Sequence, residues 1–293
     1  MSGRELQHVV PASSGSGAVA MVADAALAAG PVTLADGASG GPITNVSGAD
    51  GPSADGPCTG VLCTRCHVPL YQLDGVVRRH GDRTVLDVPR LDIAAGGITG
   101  VVGPNGGGKS TLLRLLALLD APCRGELRFA GEVVGPLSSA HTADLRRSVT
   151  LLLQEPYLLR RSVYENVAFG LSVRSVRSGR SGRGVRDTAD AVRGALELVA
   201  LDPDVFLRRR WFELSGGEAQ RVALAARLAF SPRVLLMDEP TASLDEDSAA
   251  RIADAARAVA ERGTTVIVVS HDRDWLEPLA GRILKVRRGR VEG

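Results

Sequence analysis

Short apolar runs alternate with longer amphipathic stretches from about residue 68 onward. Short runs rich in Val, Ile and Leu between Gly and Asp turn residues predict β-strands, and they fall at residues 68–73, 85–88, 98–102, 127–129, 151–153, 234–237 and 264–270. Stretches with helical spacing predict α-helices at residues 109–119, 188–199, 218–230 and 247–262. Strands that alternate with helices indicate an α/β fold with a mainly parallel sheet.

Two segments lack this alternation. Residues 1–65 are rich in Gly, Ala, Ser and Pro and show neither a helical nor a strand period. Such a segment buries too little apolar surface to offset its ordering entropy, so we expect a disordered N-terminal tail followed by one domain over residues 66–293. Residues 172–186 contain five arginines and no acidic residue, and we expect a loop there.

Composition excludes several classes of protein. The 293 residues are 44% hydrophobic and 23% charged with a net charge of +2, which is typical of a soluble globular protein and gives no indication of a nucleic-acid partner. No apolar run approaches the roughly 18–20 residues that span a bilayer, and the N-terminus has no basic run ahead of an apolar one, as a signal peptide would. We therefore expect a protein located in the cytoplasm.

A glycine-rich segment lies between the strand predicted at 98–102 and the helix predicted at 109–119. It reads Gly103, Pro104, Asn105, Gly106, Gly107, Gly108, Lys109, Ser110 and Thr111. This is the G-x-x-x-x-G-K-[ST] phosphate loop in its strand–loop–helix context, where backbone N–H groups and the helix N-terminus surround a phosphate. Lys109 would reach the β- and γ-phosphates of a nucleotide, and Ser110 would place its hydroxyl on Mg²⁺. The segment therefore predicts a nucleoside triphosphate site.

Further motifs follow in order along the chain. They are Gln154 at a strand end, Leu214-Ser215-Gly216-Gly217-Glu218 before a helix, Asp238-Glu239 after an apolar strand, Ser243-Leu244-Asp245, and Ser270-His271-Asp272 after another strand. With the phosphate loop, their order and spacing resemble the ATP-binding-cassette (ABC) ATPases over about residues 68–292. The resemblance implies a P-loop NTPase cassette with a RecA-like parallel-sheet core, an antiparallel β subdomain and an α-helical subdomain at about residues 157–230.

The resemblance also implies ATP hydrolysis with ATP and Mg²⁺ bound and with no covalent intermediate. It assigns catalytic roles to Lys109, Gln154, Glu239 and His271, and Mg²⁺ coordination to Ser110, Gln154 and Asp238. Glu239 would be the general base that polarises the attacking water. His271 would hydrogen-bond the γ-phosphate, and Gln154 would sense it.

Three further assignments depend on this resemblance. Ser215 and Gly217 imply a second phosphate-facing helix start, which in the family acts on the nucleotide bound by another cassette, with Asp245 at the seam between the two. The chain would therefore form a homodimer or pair with a second cassette subunit. The family stacks an aromatic residue on adenine ahead of the phosphate loop; here His80 occupies that position, with Tyr71 or no side chain as alternatives.

A cassette without a membrane span or a second cassette most resembles the ATPase subunit of a bacterial importer, at the cytoplasmic face of the membrane. Residues 154–159 and 162–170 lie where such cassettes receive a transmembrane permease subunit, although a packed helical subdomain is an alternative reading. Similarity is greatest to tungstate, molybdate and phosphate importers, the tungstate type above all, which implies a periplasmic or extracellular solute-binding protein. A non-transport regulatory ABC ATPase and an exporter-type cassette are the alternatives.

A cysteine cluster remains outside these assignments. Cys63, Cys66 and His67 form a C-x-x-C-H pattern, with Cys58 just upstream. Incidental thiols, a metal or redox site and haem attachment are all compatible with this pattern. The sequence leaves the three alternatives open.

Overall fold

The computed structural model describes residues 69–177 and 185–293. All of them belong to a compact unit, Gly60–Gly293. The predicted tail at residues 1–65 and the cysteine cluster from Cys58 to His67 lie outside the described residues.

Strands and helices alternate along the described chain. The strands are β1 (Tyr71–His80), β2 (Arg83–Ile93), β3 (Ile98–Val102), β4 (Arg124–Phe129), β5 (Glu132–Val133), β6 (Val149–Leu152), β7 (Val234–Asp238), β8 (Thr265–Val269), β9 (Arg282–Arg287) and β10 (Arg290–Glu292). The helices are α1 (Lys109–Leu116), α2 (Ala140–Arg146), α3 (Val163–Arg177), α4 (Val185–Leu198), α5 (Pro203–Phe206), α6 (Gly216–Leu228), α7 (Glu246–Glu261) and α8 (Arg273–Leu276), with a 3₁₀ turn at Trp211–Glu213.

A six-stranded sheet in the order β10-β9-β3-β8-β7-β6 forms the centre of the fold. Strands β9, β3, β8, β7 and β6 pair in parallel, and β10 adds an antiparallel edge. Strands β7 and β8 are buried on both faces: Leu235 and Val266 belong to one apolar core, Leu236 and Ile267 to the other. Because parallel strands share direction, the loops after β3, β8, β7 and β6 meet at one edge of the sheet.

A second sheet, in the order β2-β1-β4-β5, is antiparallel. Strands β1 and β2 form a hairpin whose turn contains Gly81, at a φ of +56°. The Tyr71 ring packs 4.9 Å from that of Phe129 and its hydroxyl donates to the Leu116 carbonyl oxygen at 2.8 Å. This bond ties the antiparallel sheet to the end of α1.

Helices α3 to α6 lie in the chain between β6 and β7, and α6 contacts α3, α4, α7 and β6. The loop predicted at residues 172–186 is wrong where the structure describes it, because α3 continues to Arg177 and α4 begins at Val185. Arginine has a high helix propensity, so a run of arginines does not by itself end a helix. Residues 178–184 lie outside the described residues.

The predicted helix at 109–119 ends earlier, at Leu116, and Leu118 takes the left-handed backbone conformation at a φ of 55°. Strands β5, β9 and β10 and helices α2, α3, α5 and α8 were not predicted. Within residues 69–177 and 185–293, no helix has the length and apolar character that crossing a membrane requires.

Candidate nucleotide-binding site

A cavity of about 670 Å³ opens where the loops of the parallel sheet meet. Its volume lies within the usual range for a small-molecule site. It is lined by Arg83, Thr84, Val85, Pro104, Asn105, Gly106, Gly107, Gly108, Lys109, Ser110, Thr111, Gln154, Asp238, Glu239, His271, Arg288 and Gly289. The cavity therefore brings together most of the site residues that the sequence predicted.

The phosphate loop, residues 103–111, needs glycine at two close approaches. A Cβ atom at Gly103 would collide with the carbonyl oxygen of Val286. Gly108 has a φ of +111°, and a Cβ atom there would lie 2.9 Å from the carbonyl oxygen of Val85. Strand β2 and the end of β9 therefore hold the loop on two sides, and larger residues would push it out of shape.

Lys109 begins helix α1 and lies inside the phosphate loop, with only 7% of its surface exposed. Its Nζ donates to the carbonyl oxygens of Gly103 and Pro104, at 2.8 and 3.2 Å. Among the described residues, no side chain caps the first turn of α1. The helix start thus combines an ammonium group with backbone N–H groups, and both can donate hydrogen bonds to a phosphate.

Asp238 ends strand β7 beside Ser110. Burial raises the pKa of the Asp238 carboxyl, and the neighbouring carboxylate of Glu239 raises it further. A hydrogen bond from the Ser110 hydroxyl and the charge of Lys109 act in the opposite direction on this pKa. A hydroxyl and a carboxylate in contact supply the hard oxygen ligands that Mg²⁺ takes, so the two residues fit this ion.

Glu239 and His271 form a pair at the same edge. Glu239 has a φ of 47°, in the left-handed region, which for a residue other than glycine costs about 1–3 kcal/mol and is typical of functional sites. Its Oε2 atom accepts the backbone N–H of His271 at 3.2 Å and lies 2.7 Å from the ring Nδ1 of the same residue. The Glu239 side chain is 13% exposed and that of His271 is 70% exposed.

Gln154 follows β6, the strand next to β7, and lines the cavity. Gln220 of α6, which sequence reasoning missed, contacts the residue before Gln154 and is 1% exposed. The Gln220 Nε2 donates to the carbonyl oxygens of Leu153 and Pro240, at 3.3 and 3.2 Å. Gln220 thus connects α6 to the chain beside Gln154 and beside Glu239; no local sequence pattern marks such a buried contact.

Ser215, Gly217 and Asp245 lie outside the cavity lining and form a second cluster. Ser215 caps α6 with its side chain, and Glu218 returns a bond to the Ser215 backbone N–H at 2.8 Å. A Cβ atom at Gly217 would collide with the Ser248 hydroxyl and would lie 3.8 Å from the Asp245 carboxylate. Asp245 in turn caps α7 by accepting the Ser248 backbone N–H at 2.7 Å.

The predicted adenine platform is not among the cavity-lining residues. His80 ends β1 and pairs with Arg83 across the hairpin turn. The alternative, Tyr71, is wrong because its side chain is fully buried against Phe129 and cannot reach a bound base. The cavity instead presents Arg83 and Arg288, together with Thr84, Val85 and Gly289, none of which the sequence singled out.

The sequence of the chain matches a known protein family and several known proteins. The family model described as ABC transporter matches residues 86–242. The tungstate uptake system ATP-binding protein TupC of Peptoclostridium acidaminophilum is 34% identical over 216 residues, 73% of this chain and 92% of that protein. A probable anion import ATP-binding protein of Haloferax volcanii is 40% identical over 215 residues, 71% of this chain and 74% of that protein.

Solved structures show the same architecture. The cbiO1 protein of Clostridium perfringens, part of the ABC transporter complex cbiONQ, aligns with a TM-score of 0.69 at 26% identity over 77% of this chain and 87% of that one. The ATP-binding cassette MJ0796, solved as a dimer in a post-hydrolysis state bound to ADP and Pi, aligns with a TM-score of 0.67 at 28% identity over 76% of this chain and 97% of that one. The predicted fold class, a P-loop NTPase cassette, is confirmed.

Family match, fold and site geometry agree, because the matched region contains the phosphate loop and the Asp238-Glu239 pair that line the cavity. The chain therefore belongs to the ABC transporter family and is an ABC ATPase.

Proposed function

We propose that the chain is the ATP-hydrolysing subunit of a membrane importer for an oxyanion such as tungstate. The observation that carries the hydrolytic part is the gathering of Lys109, Asp238, Glu239 and His271 around one cavity. The importer part is supported by relatives described as tungstate uptake and anion import proteins. Other relatives are described as importers of phosphonates and of Fe(3+) ions. The choice of an oxyanion as the transported substrate is therefore the more specific part of the proposal.

Each side chain in the cavity has a role in this proposal. Lys109 and the loop amides bind the β- and γ-phosphates of ATP. Ser110, Asp238 and Gln154 would hold Mg²⁺, which when bound would neutralise phosphate charge. Their oxygen atoms are the ligand type that this ion prefers.

Glu239 is the general base. Oε2 of Glu239 takes both contacts from His271, so Oε1 is the atom that accepts a proton from the attacking water. His271, whose side chain is exposed, would hydrogen-bond the γ-phosphate in this proposal. A general base of this kind contributes about 10²–10⁴ in rate.

The second cluster implies an assembly. Ser215, Gly217 and Asp245 do not line the cavity that holds Lys109, so we infer that they act on the nucleotide of another cassette in a homodimer. The dimeric form of the cassette MJ0796 supports this inference. His80 stays a proposal as an adenine contact, because it lies one hairpin turn from the cavity-lining Arg83.

We also propose an ABC ATP-binding domain over residues 66–293, with an α-helical subdomain at about residues 157–230 that receives the permease. Tyr157 is 63% exposed and Leu153 is 45% exposed beside Gln154, which suits contact with an apolar partner helix. The chain would then be peripheral at the cytoplasmic face of the membrane, in a system that includes a solute-binding protein.

The hydrolytic part is tested with the purified full chain. We expect vanadate-sensitive ATP hydrolysis that Glu239→Gln reduces by about 10²–10⁴-fold while ATP binding persists. Glu261→Gln, at the end of α7 and exposed, is the matched control and keeps full activity. Undiminished hydrolysis in the Glu239 variant would remove this residue from its role.

The transport part is tested by co-expression with a candidate permease and a candidate solute-binding protein, chosen from the genes adjacent to the gene of this chain. We expect the complex to copurify and its ATP hydrolysis to rise when the binding protein is loaded with tungstate, more than with molybdate or phosphate. If only a cation or an amino acid stimulated ATP hydrolysis, the proposal that the substrate is an oxyanion would be wrong. A chain that takes up no membrane partner would indicate the regulatory ATPase instead, and a permease that needs no binding protein would indicate an exporter.

A further inference from the structure

The strand order of the central sheet sets the direction of a bound nucleotide. Strands β8, β7 and β6 lie on one side of β3, and they carry His271, Glu239 and Gln154 at their ends. Strand β9 lies on the other side of β3 and turns into β10 through Arg288 and Gly289. Because the γ-phosphate must lie near Glu239, the rest of the nucleotide extends toward the β9–β10 turn.

That end of the cavity is tightly attached to the phosphate loop. The Gly289 backbone N–H donates to the Gly107 carbonyl oxygen at 2.8 Å, and the Gly289 carbonyl oxygen accepts the Asp87 backbone N–H at 2.6 Å. The site of a Cβ atom at Gly108 lies 2.9 Å from the Val85 carbonyl oxygen and 3.5 Å from Gly289. Strand β2 and the β9–β10 turn thus form a continuous wall beside the start of α1.

Two arginines on this wall, Arg83 and Arg288, are among the residues that line the cavity. Arg288 has a φ of 49°, in the left-handed region that residues other than glycine seldom adopt. Among the described residues, neither arginine makes an ion pair. Arg114 and Arg128, by contrast, each pair with a carboxylate, at 3.0 and 2.6 Å.

We propose that Arg83 and Arg288 form a clamp on the α-phosphate of the bound nucleotide. A guanidinium presents paired N–H donors that match phosphate oxygens. Arg288 lies in the β9–β10 turn, on the side of β3 away from Glu239, and Arg83 begins β2, which contacts β10. The inference rests on the proposed ATPase function and adds residues to it. Since ATP and ADP share the α-phosphate, the clamp strengthens the binding of both and acts on affinity rather than on the chemical step.

The test measures ATP, ADP and tripolyphosphate binding to the full chain, with Arg83→Gln and Arg288→Gln singly and together. We expect each substitution to weaken all three ligands by about tenfold, the size typical of a charged hydrogen bond. KM for ATP should rise while kcat stays within about twofold, as for uniform binding. Arg83→Lys and Arg288→Lys should retain part of the affinity that the glutamine variants lose, because phosphate oxygens also accept hydrogen bonds from an ammonium group.

The matched controls are Arg287→Gln and Arg290→Gln, which alter exposed neighbours in the same β9–β10 hairpin that do not line the cavity. Unchanged affinity in the double Arg83/Arg288 variant, or an equal loss in the controls, would overturn the clamp. A loss for ATP and ADP with none for tripolyphosphate would place the arginines on the sugar or base instead. A wild-type chain that binds no ATP would contradict the proposed function itself.

Discussion

Two glycine-rich segments in this chain lead into helices, and the two helix starts are capped in different ways. Helix α1 begins after Gly108, which has left-handed backbone geometry, and within the described residues it has no side-chain cap. Helix α6 begins after Ser215, whose hydroxyl accepts the Glu218 backbone N–H at 3.2 Å while the Glu218 carboxylate accepts the Ser215 backbone N–H.

This difference in capping indicates what each of the two segments can bind. Uncapped N–H groups around the Lys109 ammonium form a phosphate site inside the cavity. A capped start is already stable, and its cluster with Asp245 and Ser248 lies outside the cavity lining. The phosphate loop therefore lies in a cavity of its own chain, whereas in the homodimer that we propose the segment at Ser215 would act on the nucleotide of the other cassette.

The difference between the two segments is tested most directly by removing one side-chain group from each, and this test has the largest expected effect. Lys109→Ala deletes a buried charged donor and should weaken ATP binding by about 10²-fold. Ser215→Ala should leave ATP affinity of the dilute chain within about twofold, because Ser215 does not line the cavity, while hydrolysis at high protein concentration falls. Calorimetry and hydrolysis assays measure the two effects; an equal loss of ATP affinity in both variants would contradict the distinction.

The packing beneath the second segment gives the next largest effect. Gly217→Ala places a methyl group against the Ser248 side chain, which should lower the free energy of unfolding by about 1–3 kcal/mol. Gly216 has no atom within 4 Å of its Cβ position, so Gly216→Ala is the matched control and should be neutral or stabilising. Urea denaturation measures both, and Ser248→Gly should restore stability in the Gly217 variant.

A connection between the two regions is tested at Gln220. Gln220→Leu leaves the carbonyl oxygens of Leu153 and Pro240 without the donor that joins them to α6. We expect a loss of about 1–3 kcal/mol in unfolding free energy and a fall in kcat with ATP affinity unchanged, since the phosphate loop is untouched. Gln72→Leu, on β1 and away from the cavity lining, is the control. A change in ATP affinity alone would contradict the connecting role.

Local patterns predicted the parts of the site that are continuous in sequence. The phosphate loop, the Asp238-Glu239 pair and the strand before His271 each combine an apolar strand with the residues that follow it, so their positions at one sheet edge could be predicted. Arg83, Arg288 and Gln220 could not, because they reach the site through a hairpin turn, an unpredicted strand pair and a buried helix face. Tyr71 shows the opposite error: it begins β1, within the strand predicted at residues 68–73, but only its packing against Phe129 shows that it cannot contact a base.

The smallest predicted effect is a pH-dependent change in stability, which comes from Asp245 at the start of α7 and not from the cavity. The Ser248 backbone N–H, helped by the Ser248 hydroxyl, holds the pKa of Asp245 below its usual value. A carboxyl with a lower pKa in the folded chain than in the unfolded chain contributes stability above the unfolded pKa, and this contribution is lost as the pH falls through the folded pKa. The loss therefore begins below about pH 4, where an unfolded aspartate is protonated.

Asp245→Asn keeps an oxygen that can accept the Ser248 N–H at every pH, because asparagine also caps helices well. Its unfolding free energy should lack this acid-dependent fall, so the advantage of the wild-type chain at pH 7 shrinks as the pH is lowered. Urea denaturation from pH 7 to about pH 3 measures this. Asp247→Asn, exposed in the same first turn of α7, is the control and should run parallel to the wild type. Parallel profiles for Asp245→Asn as well would mean that its carboxylate does not stabilise the α7 start, and the second cluster would then depend on the packing of Gly217 against Ser248 alone.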